Sequence, residues 1–374
     1  MTDTARIEIL PAPDGTPLRI ALVAPPLERV PPLGYGGTER IIHALAVELA
    51  ARGHAVTLFA SGDSEAPGEL VATVPAALRP QGYGDDPSPF YLRTLDLVVE
   101  RAPTFDLIHS HLEWWSLPLA RAVTTPVVST FHRRLDQPGS RSLLEEPPDG
   151  LVAISASQAS AHPGVPWTVV HNGLDLRAAP FRTERSDGLA FVGRVDPEKG
   201  IVDAIEVAKR TGRPLRIAAK VGTLARERDY AENVFRPALA AAGSLVEYLG
   251  EIAPAERDEL FASSDATLMP GSWPEPFGLV AIESLACGTP ILARRVGGLP
   301  EVIREGLDGW FGDDVTHLAF LLPRIAELDR TAIRASVLDR FSAARMAATY
   351  EALYRRRIAA SMAGSTREAA RAAR

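Results

Sequence analysis

One cysteine, Cys287, stands among 374 residues, so no intramolecular disulfide can form. A reducing cytosol is the expected setting. Lysine is nearly as scarce: Lys199, Lys209 and Lys220 are the only three. Arginine supplies the remaining positive charge, a bias of genome composition that makes a lysine inside a motif slightly more telling. No uncharged apolar run approaches the roughly 20 residues of a membrane span. Met1–Pro17 mixes acidic, polar and proline residues without the basic-then-apolar order of a secretory signal. The net charge of −7 argues against a nucleic-acid partner. Neither a solenoid period nor a low-complexity segment is present.

The chain does have length enough for two domains of ordinary size, with 46% hydrophobic and 23% charged residues, as expected of a globular protein. Apolar strand-like runs alternate with helical patterns twice over, the pattern of parallel sheets built from βαβ units. In the first half strands are expected at 18–24, 55–60, 106–111, 127–132 and 151–155. A helix is expected over 38–52, with Ile41, Ile42, Leu45 and Leu49 on its core side. In the second half strands are expected at 189–194, 215–220, 245–249, 266–269 and 291–294, with a helix over 201–210. The fold class is therefore α/β, with two doubly wound, Rossmann-like domains. Their joint is expected within 170–180, where Asn172-Gly173 punctuates the chain.

The most informative stretch is Pro274-Glu275-Pro276-Phe277-Gly278-Leu279 running into Glu283 and Cys287-Gly288-Thr289-Pro290. Leu279, Val280, Ala281, Ile282, Leu285 and Ala286 read as a buried helix that Gly288 ends and Pro290 keeps from restarting. Glu283 is its only charge. A carboxylate among such neighbours needs hydrogen-bond donors, and a ligand's hydroxyls could supply them. Glu275, between two prolines, is held beside the helix N-terminus, where exposed amides favour anions. A nucleotide sugar, with negative charge and hydroxyls together, fits that description.

In open α/β sheets ligands bind beyond the carboxyl ends of the strands. Gly193 and Arg194 close one such strand and Lys199 precedes the next helix, where the two cations could hold a diphosphate; solvated surface charge is the alternative. Glu198 is expected to face solvent. Gly36-Gly37 follows the first strand, with Thr38 as an expected cap. Gly-x-Gly-x-x-Gly is incomplete there, which excludes a nicotinamide dehydrogenase. His132 ends a buried strand, and Arg134 and Asp136 follow in a polar loop. His109, His111, Glu113, Trp114 and Trp115 follow another strand; the aromatics suit a sugar or lipid acceptor, or else pack against the next helix. His109 and His111 are expected on opposite faces of their strand, so no metal site is expected. Arginine-rich helix from Ala343 onward carries Met346, Tyr350, Leu353, Tyr354 and Ile358 at helical spacing, and residues beyond Gly364 are expected to fray.

Glu-x7-Glu within Pro-Glu-Pro-Phe-Gly-Leu-x3-Glu-x-Leu-Ala-Cys-Gly-Thr-Pro resembles the donor-site signature of retaining family 4 glycosyltransferases of the GT-B fold. The resemblance extends to Gly36-Gly37-Thr38-Glu39, Thr130-Phe131-His132, Asn172-Gly173-Leu174-Asp175, Gly193-Arg194 with Glu198-Lys199-Gly200, and Gly297-Gly298-Leu299-Pro300-Glu301, in the expected order along nearly the whole chain. It implies two domains facing a central cleft: an acceptor-side domain over 1–172 plus 345–374, with a C-terminal crossover helix, and a donor-binding domain over 173–344. It further implies transfer of a hexosyl group from a nucleoside diphosphate sugar, with UDP the base-rate nucleotide, to an acceptor hydroxyl on a glycan, lipid or small molecule. No cofactor or metal is implied.

By the same resemblance, Arg194 and Lys199 contact the donor phosphates, Glu283 the ribose hydroxyls and Glu275 the donor sugar. The backbone of Phe277, Gly278 and Leu279 closes on the pyrophosphate and sugar, and Gly36 and Gly37 bring amides to the phosphate. His132 lies near the reacting group, as the catalytic partner of Glu275, whereas His109, Glu113, Trp114, Arg134 and Asp136 fall on the acceptor side. Alternatives are a nucleotide-sugar epimerase or hydrolase on the same fold, or a non-catalytic nucleotide-sugar-binding partner. The basic C-terminal helix is expected to pack on the first domain, with peripheral contact at the inner membrane surface as its alternative.

Overall fold

The computed structural model describes residues 15–34, 36–83, 86–184, 186, 188–222 and 224–372. The reading of Met1–Pro17 therefore falls almost wholly outside the described residues. The chain forms two compact units, one of Met1–Asp175 with Ser342–Arg374, the other of Leu176–Phe341.

The first unit is built on seven strands: β1 (Arg19–Val23), β2 (Ala55–Ser61), β3 (Glu69–Val74), β4 (Leu107–Ser110), β5 (Val127–Phe131), β6 (Leu151–Ala153) and β7 (Thr168–Val169). They pair in parallel in the order β3-β2-β1-β4-β5-β6-β7. Ile20, Leu22, Leu58, Leu107, Ile108 and Val128 are fully buried, because helices cover both faces of a parallel sheet. That coverage is why these strands read as unbroken apolar runs. β3 is a half-exposed edge strand and β7 is two residues long, and neither was expected.

The helix Gly37–Ala51 turns Ile41, Ile42, Leu45 and Leu49 into the core. Gly36 occupies its N-cap position, so Thr38 lies inside the first turn and does not cap it as expected. The C-terminal helix, Ala343–Ala372, continues past Gly364, where fraying was expected. Met346, Tyr350, Leu353 and Tyr354 are buried in this same unit. Arg52, just after the Gly37–Ala51 helix, pairs with Glu351 at 3.4 Å and donates to the Ala344 carbonyl at 2.8 Å.

The second unit carries β8 (Leu189–Arg194), β9 (Leu215–Lys220), β10 (Val246–Gly250), β11 (Ala266–Met269), β12 (Ile291–Ala293) and β13 (Gly309–Phe311), parallel throughout and ordered β10-β9-β8-β11-β12-β13. β13, at the edge, was not expected. The helix Ile201–Thr211 buries Ile201, Ala204, Ile205, Val207 and Ala208 and stops at Gly212 in the left-handed conformation. The apolar helix Leu279–Ala286 ends at Cys287, with Gly288 at φ +73° just beyond. Cys287 is buried, and burial pushes its thiol up to about 12, so it is a core residue and not a nucleophile at neutral pH.

Candidate functional site

The strand order reverses between β8 and β11 in the second unit and between β1 and β4 in the first. At such a switch point the connections leave in opposite directions and their loops splay apart above the carboxyl ends of the strands. In the second unit the loop after β8 carries Arg194 to Lys199 and the loop after β11 carries Glu275.

These two loops meet. Asp196 accepts the Glu198 amide at 2.9 Å and starts a single turn, Pro197–Lys199, while the Trp273 amide donates to the Glu198 carbonyl at 3.2 Å. The tie brings Lys199 Nζ to 2.5 Å from Glu275 Oε2, both side chains about one-fifth exposed. Glu275 is fixed from the other side by the Gly297-Gly298 turn. The Gly298 amide donates to the Glu275 carbonyl at 2.7 Å. Gly297, at φ +56°, lies so close that an added Cβ would stand 2.3 Å from that oxygen. Glu198 is exposed, as expected.

Arg194 is held separately: Nη1 donates to Glu227 Oε1 at 3.2 Å, and Asp196 lies 3.7 Å from Nη2. Glu227 also accepts the Leu224 amide at 3.0 Å, so its own position is set by the start of the next helix. Glu283 is 4% exposed and faces Arg257 Nη1 at 3.2 Å, so the protein itself supplies a cation where ligand hydroxyls were expected to be the donors. Phe277 buries its ring against Phe341 at 5.6 Å, which leaves its backbone to act. Gly278 caps the Leu279–Ala286 helix without a side chain: its carbonyl accepts the Ala281 amide at 3.0 Å, and no side-chain oxygen at Gly278 meets the other first amides.

In the first unit Gly36 packs so tightly on Pro32 that a Cβ would stand 2.8 Å from its ring, and 3.1 Å from a carboxyl oxygen of Glu39. Glu39 is buried, and burial raises its carboxyl to about 7. Glu113 is likewise raised to about 7 by burial, against the opposing pull of Arg133. It adopts φ +53°, rare for a residue with a side chain, and Oε1 accepts the His132 amide at 3.0 Å. Glu113 thus braces the loop that carries His132. Burial, with Arg133 adjacent, lowers His132 to about 3 and keeps its ring neutral.

Two expectations fail here. His109 and His111 do not point to opposite faces: their ring centroids are 4.1 Å apart, because residues two apart on a strand share a face. Nor can His109 touch an acceptor. It is fully buried, with Nδ1 at 2.6 Å from the Tyr354 hydroxyl and Nε2 at 2.7 Å from Thr130 Oγ1. Arg134 and Asp136 pair with each other at the surface, Nε to Oδ1 at 2.7 Å. Trp114 packs edge-on against Phe131 at 5.0 Å, and Trp115 stacks on Tyr91 at 5.6 Å, so core packing accounts for both. Among the described residues no group of three or more His, Cys, Asp or Glu is placed to hold a metal ion.

Residues 175–324 match the family Glycosyl transferases group 1, and residues 35–178 match Glycosyltransferase Family 4. A glycogen synthase of Mycobacterium tuberculosis is 30% identical over 75% of this chain and 79% of its own length. The chain belongs to the family 4 glycosyltransferases of the GT-B fold. Within that family, a D-inositol 3-phosphate glycosyltransferase of Mycolicibacterium vanbaalenii is 27% identical over 92% of this chain and 90% of its own. The crystal structure of Anabaena HepE in complex with UDP and glucose shares the fold, with TM-score 0.67, 18% identity, and coverage of 88% and 97% of the two chains. The two family matches meet within 175–178, where the two units also divide.

For this glycosyltransferase, sequence reasoning missed Glu227 and Arg257, the partners of Arg194 and Glu283. Each is an ordinary charged residue on an ordinary helix, and no local signal marks it. The roles of Tyr350 and Tyr354 were missed too: their spacing announced core, but not the hydrogen bonds at their hydroxyls. Among the described residues no helix is long and apolar enough to cross a membrane.

Proposed function

We propose that this chain transfers a hexosyl group from a nucleoside diphosphate sugar, a UDP-sugar first among them, to an acceptor hydroxyl with retention of the anomeric configuration and without a metal ion. The observation that carries the reading is the meeting of Lys199 and Glu275 at the switch point of the second unit, beside the start of the Leu279–Ala286 helix, which has no side-chain cap. Cations and helix amides suit a diphosphate, and a carboxylate beside them suits sugar hydroxyls. Arg194 and Lys199 take the charge that a metal would otherwise neutralise. Glu283, oriented by Arg257, binds the ribose. UDP is favoured by HepE, which binds UDP and glucose.

In the reaction the bond from the anomeric carbon to the terminal phosphate oxygen breaks, and the acceptor oxygen bonds to that carbon on the same face. The acceptor's proton passes to the departing phosphate. The protein's part is orientation and stabilisation of charge on the diphosphate and the oxocarbenium-like sugar. Glu275 holds the sugar, and His132 contributes as a neutral ring. The acceptor is a hydroxyl whose carrier stays open, since the relatives are named for substrates as different as glycogen and D-inositol 3-phosphate.

Titration calorimetry with UDP, ADP and GDP tests the donor half. Lys199→Ala and Arg194→Ala should each lose on the order of 2–4 kcal/mol of binding, if one preorganised charge contact is a fair guide. Unchanged affinity in both variants would sink the reading. Turnover that survives EDTA, with the product's anomeric configuration read by NMR, tests the rest.

A further inference from the structure

Three histidines of the first unit stack in a row. His111 lies between His109, 4.1 Å away by ring centroid, and His132, 5.1 Å away and nearly parallel. His111 Nδ1 and His132 Nε2 are 2.9 Å apart and share one proton between them. Two arrangements can satisfy that contact. If His132 Nε2 carries the proton, neutral His111 must carry its own on Nε2, which is buried and has no partner among the described residues. If His111 Nδ1 carries it, the buried Nε2 is only a bare lone pair. A buried N–H without an acceptor is much the rarer defect, since an under-used acceptor loses less.

We infer that His111 is a positioning residue that fixes His132 as the Nδ1–H tautomer, so that His132 meets its substrate as a neutral hydrogen-bond donor and not as a proton acceptor. His132 Nε2 is occupied by His111, and Nδ1 is the nitrogen left to act. His111 is itself held from two sides. Its amide donates to the Val23 carbonyl at 2.9 Å, and its ring lies on His109, which Tyr354 and Thr130 lock in place. Thr130 Oγ1 is in turn 2.9 Å from the Tyr350 hydroxyl. The C-terminal helix thereby buttresses His111 through His109 and Thr130. The titratable and charged groups around His132 are Arg133 and Glu113 on its own loop and the preceding one, and His111 and His109 from β4 and its end, with Tyr350 and Tyr354 of the C-terminal helix behind His109. Glu39 acts on Glu113 from the first helix. Burial holds the His132 ring neutral among them, which agrees with a donor that never charges.

The inference rests on reading His132 as the residue of this unit that meets the reacting sugar, but its test does not depend on that reading. Nitrogen-15 NMR of the histidine-labelled full chain, without ligand and assigned with His132→Gln, reports the tautomer directly. The expected result is Nδ1–H with no titration between about pH 5 and 8. His111→Phe should release the tautomer and lower kcat about tenfold with a smaller change in donor KM. His111→Asn, which keeps an N–H where Nδ1 stands, should restore both. An Nε2–H tautomer in the unaltered protein, or a His132 ring that titrates near neutrality, overturns the inference even if His111→Phe does not fold. Unchanged donor binding in the Lys199 and Arg194 variants, which would sink the proposed function, would leave it standing, so the two readings fail separately.

Discussion

Lys199 Nζ lies 2.5 Å from Glu275 Oε2, although 76 residues separate them along the chain. Under the proposed function this pair would lie between the diphosphate and the sugar, which gives each partner a second task. Replacing Glu275 by Gln removes the counter-charge of Lys199 but preserves shape. UDP should then bind at least as tightly as before, because the freed ammonium faces the phosphates alone, while kcat falls by about 10²-fold or more as the sugar loses its carboxylate. Calorimetry and steady-state kinetics on one preparation separate the two effects; a matched loss in both would contradict the division of labour.

Arg257 and Glu283 form a pair that is largely out of solvent, with side-chain exposures of 16% and 4%. Removing one member strands the other charge, typically at about 3–5 kcal/mol. Arg257→Leu should therefore lower the unfolding midpoint by several degrees and weaken UDP binding, and the paired change Arg257→Leu with Glu283→Leu should recover stability without recovering affinity. Thermal unfolding of the single and double variants checks this.

Gly297 at φ +56° backs directly onto the Glu275 carbonyl. Gly297→Ala adds a methyl group where the backbone leaves none, so Glu275 must move. A loss of kcat of at least tenfold is expected, with the Arg194 and Glu283 contacts, and hence UDP affinity, changed far less. Equal losses in kcat and affinity would mean that the turn supports the whole site and not Glu275 alone.

Glu113 has its carboxyl raised from the ordinary value of 4.5 to about 7. The folded state therefore holds this proton more firmly than the unfolded chain does. Its contribution to stability is complete below pH 4.5 and is lost as the pH rises through about 7. Glu113→Gln lacks that loss, so its unfolding midpoint should gain on the unaltered protein between pH 5 and pH 8. The buried histidines work in the opposite direction. With pKa values far below the usual 6.5, they withdraw stability as the pH falls, equally in both proteins, so the difference between the two isolates Glu113.

Much of the fold was legible from the chain because each inner strand is buried on both faces. Ile20 to Val23 and Leu189 to Phe191 are unbroken apolar runs for that reason. β3 and β13 were not legible, because an edge strand is defined by the ladder it joins and not by its own composition. The histidines show the reverse failure. His109 and His111 were legible as a pair on one face, since the period of a strand is two, and the expectation of opposite faces misapplied that rule.

Local order along the chain determined the helices, the inner strands, the alternation that demands two doubly wound units, and the Glu-x7-Glu motif that marks the family. These depend on period, caps and breakers, which act between residues a few positions apart. Tertiary structure alone decided which charges meet: Lys199 with Glu275, Arg194 with Glu227, Arg257 with Glu283, and His111 with His132. Each of those contacts joins loops or helices from separate βα units, and only the strand order of the finished sheet brings them within reach of one another.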